Sequence, residues 1–239
     1  MVFSRGADIY TMNLLDSGQP RKLEVSLPAD SRGNATSWET FARDAESFTV
    51  SPDEKQAAVI VRGELFVVEN TDDGIRRRIS STVNREADPA WMPDSVSLLF
   101  TSDSAGSQDI YRIASADSTL PLLYRARHFN LERLTSGPQD EHSPTPSPDG
   151  KEIAYVSGRG DLMLMNADGS KPRVLVAGWD EPRFCWSPDS RWLAYSRNDI
   201  EFNEDVWIVP ADGSSEPVKV TRHPDADSDP AWSRDGRKR

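Results

Sequence analysis

The 239-residue sequence is poor in the residues that most often carry chemistry. It contains one cysteine, Cys185, and three histidines, His128, His142 and His223. A lone cysteine excludes an intrachain disulfide, which fits a reducing compartment, and it excludes a Cys-x-x-Cys motif. Because Cys185 lies beside Trp186 in a repeated phrase, we expect a buried structural thiol.

Signature motifs of enzymes are also missing. There is no Gly-x-Ser-x-Gly elbow, no His-Glu-x-x-His motif and no phosphate-binding loop. We expect the three histidines to be ordinary residues of the surface or of strand ends. The sequence therefore predicts no catalytic residue, no metal-binding residue, no cofactor-binding residue and no cofactor.

Long hydrophobic runs and excess positive charge are absent too. No run approaches the roughly 20 apolar residues of a membrane-spanning helix, and the first residues, MVFSRGADIY, lack the apolar core of a secretion signal. The chain has 39 acidic against 28 basic residues, which gives a net charge of −11. Such a surface repels phosphate backbones and anionic membranes, so we expect neither nucleic acid nor membrane as a partner.

What the chain does contain is a repeated phrase. FCWSPDSRWLAYS, PAWMPDSVSLLFTS, PTPSPDGKEIAYVS and PAWSRDGR are versions of one pattern. Its turn aspartate recurs with spacings of 41, 55, 40 and 46 residues, at Asp53, Asp94, Asp149, Asp189 and Asp235. A period of about 40–45 residues is typical of the four-stranded blades of a β-propeller.

The repeat also predicts local structure. The Ser-Pro-Asp-Gly turn is suited to a tight hairpin, in which Gly150 and Gly236 tolerate a positive φ. Apolar runs such as EIAYVS follow the turn and indicate strands that are buried on both faces. Tryptophan ends the preceding strand at Trp91, Trp186 and Trp232, and we expect these rings to pack between blades rather than to form a ligand cage.

An acidic residue begins the third strand of every repeat: Asp8, Glu64, Asp109, Asp161 and Asp205. Because each acid recurs once per blade, the set is spread over the blades instead of clustered for metal coordination. We expect these carboxylates to cap backbone amides of the turns.

The predicted fold class is therefore all-β, a β-propeller of four-stranded blades. Residues 1–27 are expected to form a partial blade, either the end of a preceding propeller or the start of this one. Residues 28–47 are expected to be a linker, and residues 48–239 a series of blades of which the last is incomplete. On this interpretation the chain is a fragment of something longer.

The longest break in the repeat is the insertion Ser115–Pro138, which is basic and aromatic within an acidic chain. One interpretation is a long hairpin between outer strands. The other is a contact with a neighbouring domain or with an acidic peptide terminus. The candidate contact residues are Arg125, Arg127, His128, Phe129 and Arg133.

These phrases resemble known propellers. SPDGKEIAYVSGRGDLMLMNADGSKPRVL is similar to the WD40-like, TolB-type repeats of the Tol-Pal periplasmic protein and of tricorn proteases. RGNATSWETFARDAESFTVSPDEKQAAVIVRGELFVV and AGWDEPRFCWSPDSRWLAYSRNDIEFNEDVWIVPADG resemble the second propeller of tricorn-like proteases, which has seven blades. The resemblance extends from about Arg32 to Gly236, and it implies a fragment of a seven-bladed propeller.

The resemblance also implies a function. In tricorn-like proteases the propellers are not catalytic; they precede the domains that carry a serine nucleophile and a PDZ module. It implies a non-catalytic segment for oligopeptide access and scaffolding, in a cytoplasmic, homo-oligomeric serine peptidase. The implied partners are oligopeptides and the catalytic and PDZ domains of the parent protease.

Two alternatives remain open at this point. One is a TolB-like propeller of the cell envelope that mediates protein–protein interaction. The other is a propeller hydrolase related to prolyl oligopeptidase, whose nucleophile would lie in a separate domain.

Overall fold

A computed structural model describes residues 2–5, 8–11, 20–23, 44–80, 84–199, 202–223 and 225–236. Within these ranges the regular structure is β-strand, so the all-β prediction is confirmed. The same ranges hold no helix that is long and apolar enough to cross a membrane. The chain divides into two compact units, Met1–Thr40 and Phe41–Arg239.

The first unit contains one antiparallel sheet of three strands. Its strands are β1 (Val2–Arg5), β2 (Asp8–Thr11) and β3 (Arg21–Leu23), in the order β1-β2-β3. This is the arrangement expected for the second, third and fourth strands of a blade. Residues 28–43 of the predicted linker lie outside the described residues, so the predicted domain boundaries stay predictions.

The second unit contains four antiparallel sheets of four strands, which we number as blades 1 to 4. The described part of the unit begins inside the predicted linker, because the first strand of blade 1 starts at Ala45. Blade 1 contains β4 (Ala45–Val50), β5 (Gln56–Val61), β6 (Glu64–Glu69) and β7 (Arg76–Arg78), and blade 2 contains β8 (Glu86–Trp91), β9 (Ser97–Ser102), β10 (Asp109–Ser115) and β11 (Phe129–Arg133). Blade 3 contains β12 (Glu141–Pro146), β13 (Glu152–Ser157), β14 (Asp161–Asn166) and β15 (Arg173–Val176). Blade 4 contains β16 (Phe184–Trp186), β17 (Trp192–Asn198), β18 (Glu204–Pro210) and β19 (Val218–Lys219).

The core lies between successive blades. The second strand of each blade is buried on both faces, as the apolar runs predict. One apolar cluster joins blades 1 and 2 through Ile60, Leu65 and Leu98, and another joins blades 3 and 4 through Leu164 and Leu193. Burying such surface is the main favourable term in folding.

The repeated turns adopt one conformation whatever residue occupies their fourth position. φ is positive at Gly150 and Gly236, which confirms the prediction, and equally at Glu54, Ser95 and Ser190. The two serines use their side chains across blade boundaries. Ser95 Oγ accepts the Asp53 N–H at 3.1 Å, and Ser190 Oγ accepts the Asp149 N–H at 3.0 Å.

The repeated tryptophans pack between blades, as predicted. Trp91 and Trp186 are buried in the two clusters described above. Each indole Nε1–H also donates to a backbone oxygen of the preceding blade, from Trp91 to Thr49 O at 3.2 Å, from Trp186 to Thr145 O at 3.0 Å and from Trp232 to Cys185 O at 3.3 Å. The ring therefore contributes both apolar area and a directional bond.

In the predicted incomplete last blade, the described residues 225–236 form no strand. The segment nevertheless keeps the contacts of a first strand to the preceding blade. Asp227 N–H donates to Glu204 O at 2.7 Å, and Gly236 N–H closes the turn on Ser233 O at 2.9 Å. A strand is defined by its hydrogen-bonded pairing with a neighbouring strand, and no described strand pairs with residues 225–236 in this way.

The acids that begin the third strands were expected to accept backbone N–H groups directly. Asp161 does so, whereas Glu64 and Asp205 act through a neighbouring hydroxyl. Asp161 Oδ1 accepts the Gly178 N–H at 2.9 Å. In blades 1 and 4 a hydroxyl stands between acid and amide. Ser80 Oγ accepts the Leu65 N–H and donates to Glu64 Oε2, while Thr221 Oγ1 accepts the Val206 N–H and donates to Asp205 Oδ1.

Cys185 is less buried than expected, since its side chain is only partly covered. Its thiol donates to Pro230 O at 2.9 Å. Burial raises the pKa of this thiol, which keeps the thiolate scarce. The contact is consistent with a structural cysteine.

Candidate functional site

The long insertion is the connection between the third and fourth strands of blade 2. β10 and β11 pair antiparallel, with Ser115 opposite Phe129, and Ala116 N–H donates to His128 O at 2.9 Å to close the base of the connection. Directly after this base, the Asp117 carboxylate accepts from the Thr119 backbone N–H and hydroxyl. The hairpin interpretation therefore describes the geometry.

The connection folds back onto blade 1 instead of projecting into solvent. Leu123, Tyr124 and Ala126 are at most 4% exposed, and Leu123 and Tyr124 belong to the apolar cluster that contains Ile60 and Leu65. This anchor was not predicted from the sequence. Its signal was the apolar run TLPLLY inside an otherwise polar insertion.

Polar bonds add to the anchor. Tyr124 Oη donates to Glu69 Oε1 at 3.0 Å, and Tyr124 N–H donates to Gln56 Oε1 at 3.4 Å. Gln56 Nε2 in turn donates to Ser95 O at 2.9 Å. Burial, and then the bond to Glu69, raise the pKa of Tyr124, so the phenol stays protonated as the donor.

Two arginines and a histidine lie on or directly after this buried segment. The Arg125 guanidinium lies 3.6 Å from Glu69 Oε1 and 5.2 Å from the centre of the Tyr124 ring. Arg127 and His128 follow it in sequence and are exposed. Since the segment beneath them is buried, these side chains project from a supported surface.

The other two predicted contact residues have different surroundings. Arg133 Nη2 lies 2.7 Å from Oδ2 of Asp109, a side chain with no exposed surface, and Arg133 Nε donates to Thr135 O at 2.8 Å. Phe129 is partly buried against the apolar cluster. The connection therefore carries Arg125, Arg127 and His128 on one exposed stretch, with Glu69 beside Arg125 and Asp117 near Arg127, while Arg133 neutralises a buried acid.

A buried polar junction lies where blade 2 passes into blade 3. Thr135 Oγ1 accepts the Ile110 N–H at 2.9 Å and donates to Glu141 Oε2 at 3.2 Å. Glu141 is buried, and this burial is the main cause that raises its pKa, with the nearby Asp109 charge adding to the effect. Neither Glu141 nor Thr135 was predicted from the sequence to have a special role.

The remaining histidines lie on other elements. His142 is half-buried in β12, and His223 is exposed with Nδ1 3.5 Å from Asp225 Oδ2. Among the residues that the structure describes, no three His, Cys, Asp or Glu side chains are grouped closely enough to hold a metal ion.

Four-stranded antiparallel sheets that pack in chain order, joined by repeated turns and inter-blade tryptophans, define a β-propeller. The chain belongs to the TolB beta-propeller domain family, whose sequence model matches residues 32–236. It is a propeller of the TolB and tricorn type.

Individual relatives carry both names. An uncharacterized protein of Agrobacterium fabrum is 25% identical over 75% of this chain and 58% of its own length. Tricorn protease homolog 1 of Streptomyces coelicolor is 26% identical over 82% of this chain and 18% of its own length. The structure of a putative TolB from Agrobacterium tumefaciens shares the fold, with a TM-score of 0.59, 18% identity and coverage of 91% of this chain and 75% of that one.

The chain thus spans less than two thirds of the length of both sequence relatives. The activities of whole relatives do not follow from this similarity alone.

Proposed function

We propose that this chain is a non-catalytic β-propeller segment of a tricorn-like serine protease and that it acts in oligopeptide access and in scaffolding for proteolysis. The observation that carries the proposal is the supported basic surface of Arg125, Arg127 and His128 on a chain with a net charge of −11. The similarity to the Streptomyces tricorn homolog over 82% of the chain supports it.

The chemistry of that surface suits a carboxylate. Guanidinium groups form charge-assisted hydrogen bonds with carboxylates, often two at a time. The Arg125 side chain is 54% exposed and lies 3.6 Å from Glu69, so an incoming carboxylate would compete with Glu69 for the guanidinium. We infer that this surface receives acidic peptide termini, or acidic side chains of the catalytic or PDZ domains of a cytoplasmic, oligomeric parent protease.

The test measures carboxylate-dependent peptide binding. Fluorescence anisotropy compares one labelled peptide with a free C-terminal carboxylate and with an amidated one, on the chain and on the Arg125→Ser/Arg127→Ser variant. We expect the free carboxylate to bind more tightly and the variant to lose about fivefold or more of that affinity. Arg76→Ser/Arg159→Ser is the control, because both arginines are exposed elsewhere.

Two results would overturn the proposal. One is equal binding of both peptides by the chain and its variant. The other is inhibitor-sensitive cleavage of fluorogenic peptides by the chain, since a non-catalytic segment turns over none of them.

The second candidate is a TolB-like propeller of the cell envelope that mediates protein–protein interaction. The family match over residues 32–236 and the putative TolB structure favour it. Sequencing the coding region on both sides discriminates between the two. A PDZ module and a serine-protease domain downstream support the first proposal, whereas a signal peptide and an N-terminal α/β domain support the second.

A further inference from the structure

Two aromatic rings meet in solvent beside blade 4. Trp179 lies in the connection from β15 to β16, and Phe202 lies in the turn from β17 to β18. Their centroids are 5.6 Å apart and the rings are nearly perpendicular, at 88°. They remain 43% and 75% exposed, so the pair presents a contiguous apolar surface to water, a common mark of an interaction site.

The Trp179 segment is fixed by its neighbours. Gly178 N–H donates to Asp161 Oδ1 at 2.9 Å, and Asp180 Oδ2 accepts Asn198 Nδ2–H at 2.6 Å. A Cβ on Gly160 would lie 2.0 Å from Asp180 O, and one on Gly178 would lie 2.2 Å from Gly160 O. Such close backbone approach requires glycine at both positions.

The Phe202 turn is also supported. Phe202 has a φ of 61°, which is uncommon for an aromatic residue. Its N–H donates to Asp199 O at 3.1 Å, and Asn203 N–H donates to Asp199 Oδ1 at 3.0 Å. Both rings are thus presented by hydrogen-bonded segments, which lowers the entropic cost of binding a partner.

The charges beside the rings favour a cation. Asp180 and Glu181 follow Trp179 directly, and Asp199 closes the Phe202 turn. Of the nearby arginines, Arg183 is engaged by Asp229, and Arg197 lines the same cavity as Asp180. A cation over an indole face is attracted by the ring quadrupole, and the acidic surroundings and net charge attract it further.

We propose that Trp179 and Phe202 form a docking platform for an extended peptide segment that carries lysine or arginine. The aliphatic stem of the cationic side chain lies along the rings, while its charged end faces Asp180 and Glu181. The inference deepens the proposed function, on which it rests, by naming a chemical class of peptide.

This platform and the basic connection lie at opposite ends of the strands. Trp179 and Phe202 belong to connections between a fourth and a first strand and between a second and a third strand. Arg125 belongs to a connection between a third and a fourth strand. Because the strands of each blade alternate in direction, these two kinds of connection emerge on opposite sides of the sheets.

The experiment uses anisotropy with amidated Gly/Ser peptides that carry two lysines, two glutamines or two glutamates. We expect the lysine peptide to bind best, and Trp179→Ala and Phe202→Ala each to weaken it about two- to fivefold. Val174→Ala, at another exposed apolar side chain, is the matched control and should leave binding unchanged. Glu181→Lys should weaken the lysine peptide without removing a ring.

The proposal is overturned if the lysine and glutamine peptides bind equally, if none binds, or if both ring variants behave like Val174→Ala. Failure here is separable from failure of the proposed function. Carboxylate-dependent binding at Arg125 and Arg127 is read with a different peptide pair and should survive Trp179→Ala.

Discussion

The junction between blades 3 and 4 and the junction between blades 2 and 3 both enclose an apolar cluster, and they differ in the polar contacts beside it. At the first, Trp186 fills the apolar cluster and bonds to Thr145 O. At the second, Pro146 occupies the position of the tryptophan and has no side-chain donor to replace the indole N–H.

Polar contacts accompany that proline. Asp88 Oδ2 accepts the Ser143 N–H at 3.1 Å, and Asp140 Oδ1 accepts the Gln108 N–H at 2.8 Å. The Thr135–Glu141 bond lies at the same junction. The tryptophan is therefore one means of joining blades. Where Pro146 takes its place, an apolar cluster that contains Leu99 and Ile153 remains, and polar bonds between the blades, some of them exposed, take over from the indole bond.

The largest effect is expected from removing the indole. Trp186→Ala should lower the free energy of unfolding by about 3–5 kcal/mol, because it leaves a cavity and removes the bond to Thr145. Trp91→Ala should behave similarly, and the half-exposed Trp232 should matter less. Urea unfolding measures all three. Trp179→Ala is the control, and a Trp186→Ala midpoint no lower than that control would refute the role of the indole.

A somewhat smaller effect is expected beside the polar junction. Arg133→Met removes the partner of the fully buried Asp109 and should cost about 2–3 kcal/mol, less than for a pair in which both members are buried. Urea unfolding of the double variant Asp109→Asn/Arg133→Met should show partial recovery. Arg191→Met, which breaks an exposed pair with Asp189, should change little. Equal effects of Arg133→Met and Arg191→Met would contradict the interpretation.

Much of the fold was predictable because its determinants are local and repeated. A turn such as Ser147–Gly150 and the apolar run that follows it specify a hairpin without reference to the rest of the chain. Five copies of the turn fix the period, and the period indicates the fold class.

The features that escaped prediction depend on distant partners. Burial of Leu123 and Tyr124 requires blade 1, in which the partners Gln56 and Glu69 lie 68 and 55 residues before Tyr124. Asp88 and Ser143 precede prolines, which favours extended backbone, yet both have positive φ at strand irregularities. The candidate site shows the same dependence on distant partners. The basic and aromatic composition of the insertion could be read from the sequence, but the pairing of Arg133 with Asp109 could not.

The smallest effect should be a pH dependence at the polar junction. Burial raises the pKa of Glu141 above its ordinary value of 4.5, so the folded state holds this proton more tightly than the unfolded state. The contribution of Glu141 to stability is therefore most favourable below pH 4.5, and it is lost as the pH rises through the raised value. The contribution of Asp189 to stability changes with pH in the opposite direction, because hydrogen bonds from Ser187 and Arg191 lower the pKa of this carboxyl to about 2.

Glu141→Gln isolates this contribution, because the amide keeps the shape and an acceptor for Thr135 without titrating. We expect the unfolding free energy of the parent chain to fall relative to the variant as the pH rises from 4.5 towards neutrality. Urea unfolding at a series of pH values measures the difference, and Glu216→Gln, at an exposed glutamate, is the control. Parallel curves for the parent chain and Glu141→Gln would show that this carboxyl keeps its ordinary pKa. The polar junction would then gain no stability from protonation, and it would differ from the tryptophan junction in its residues but not in its response to pH.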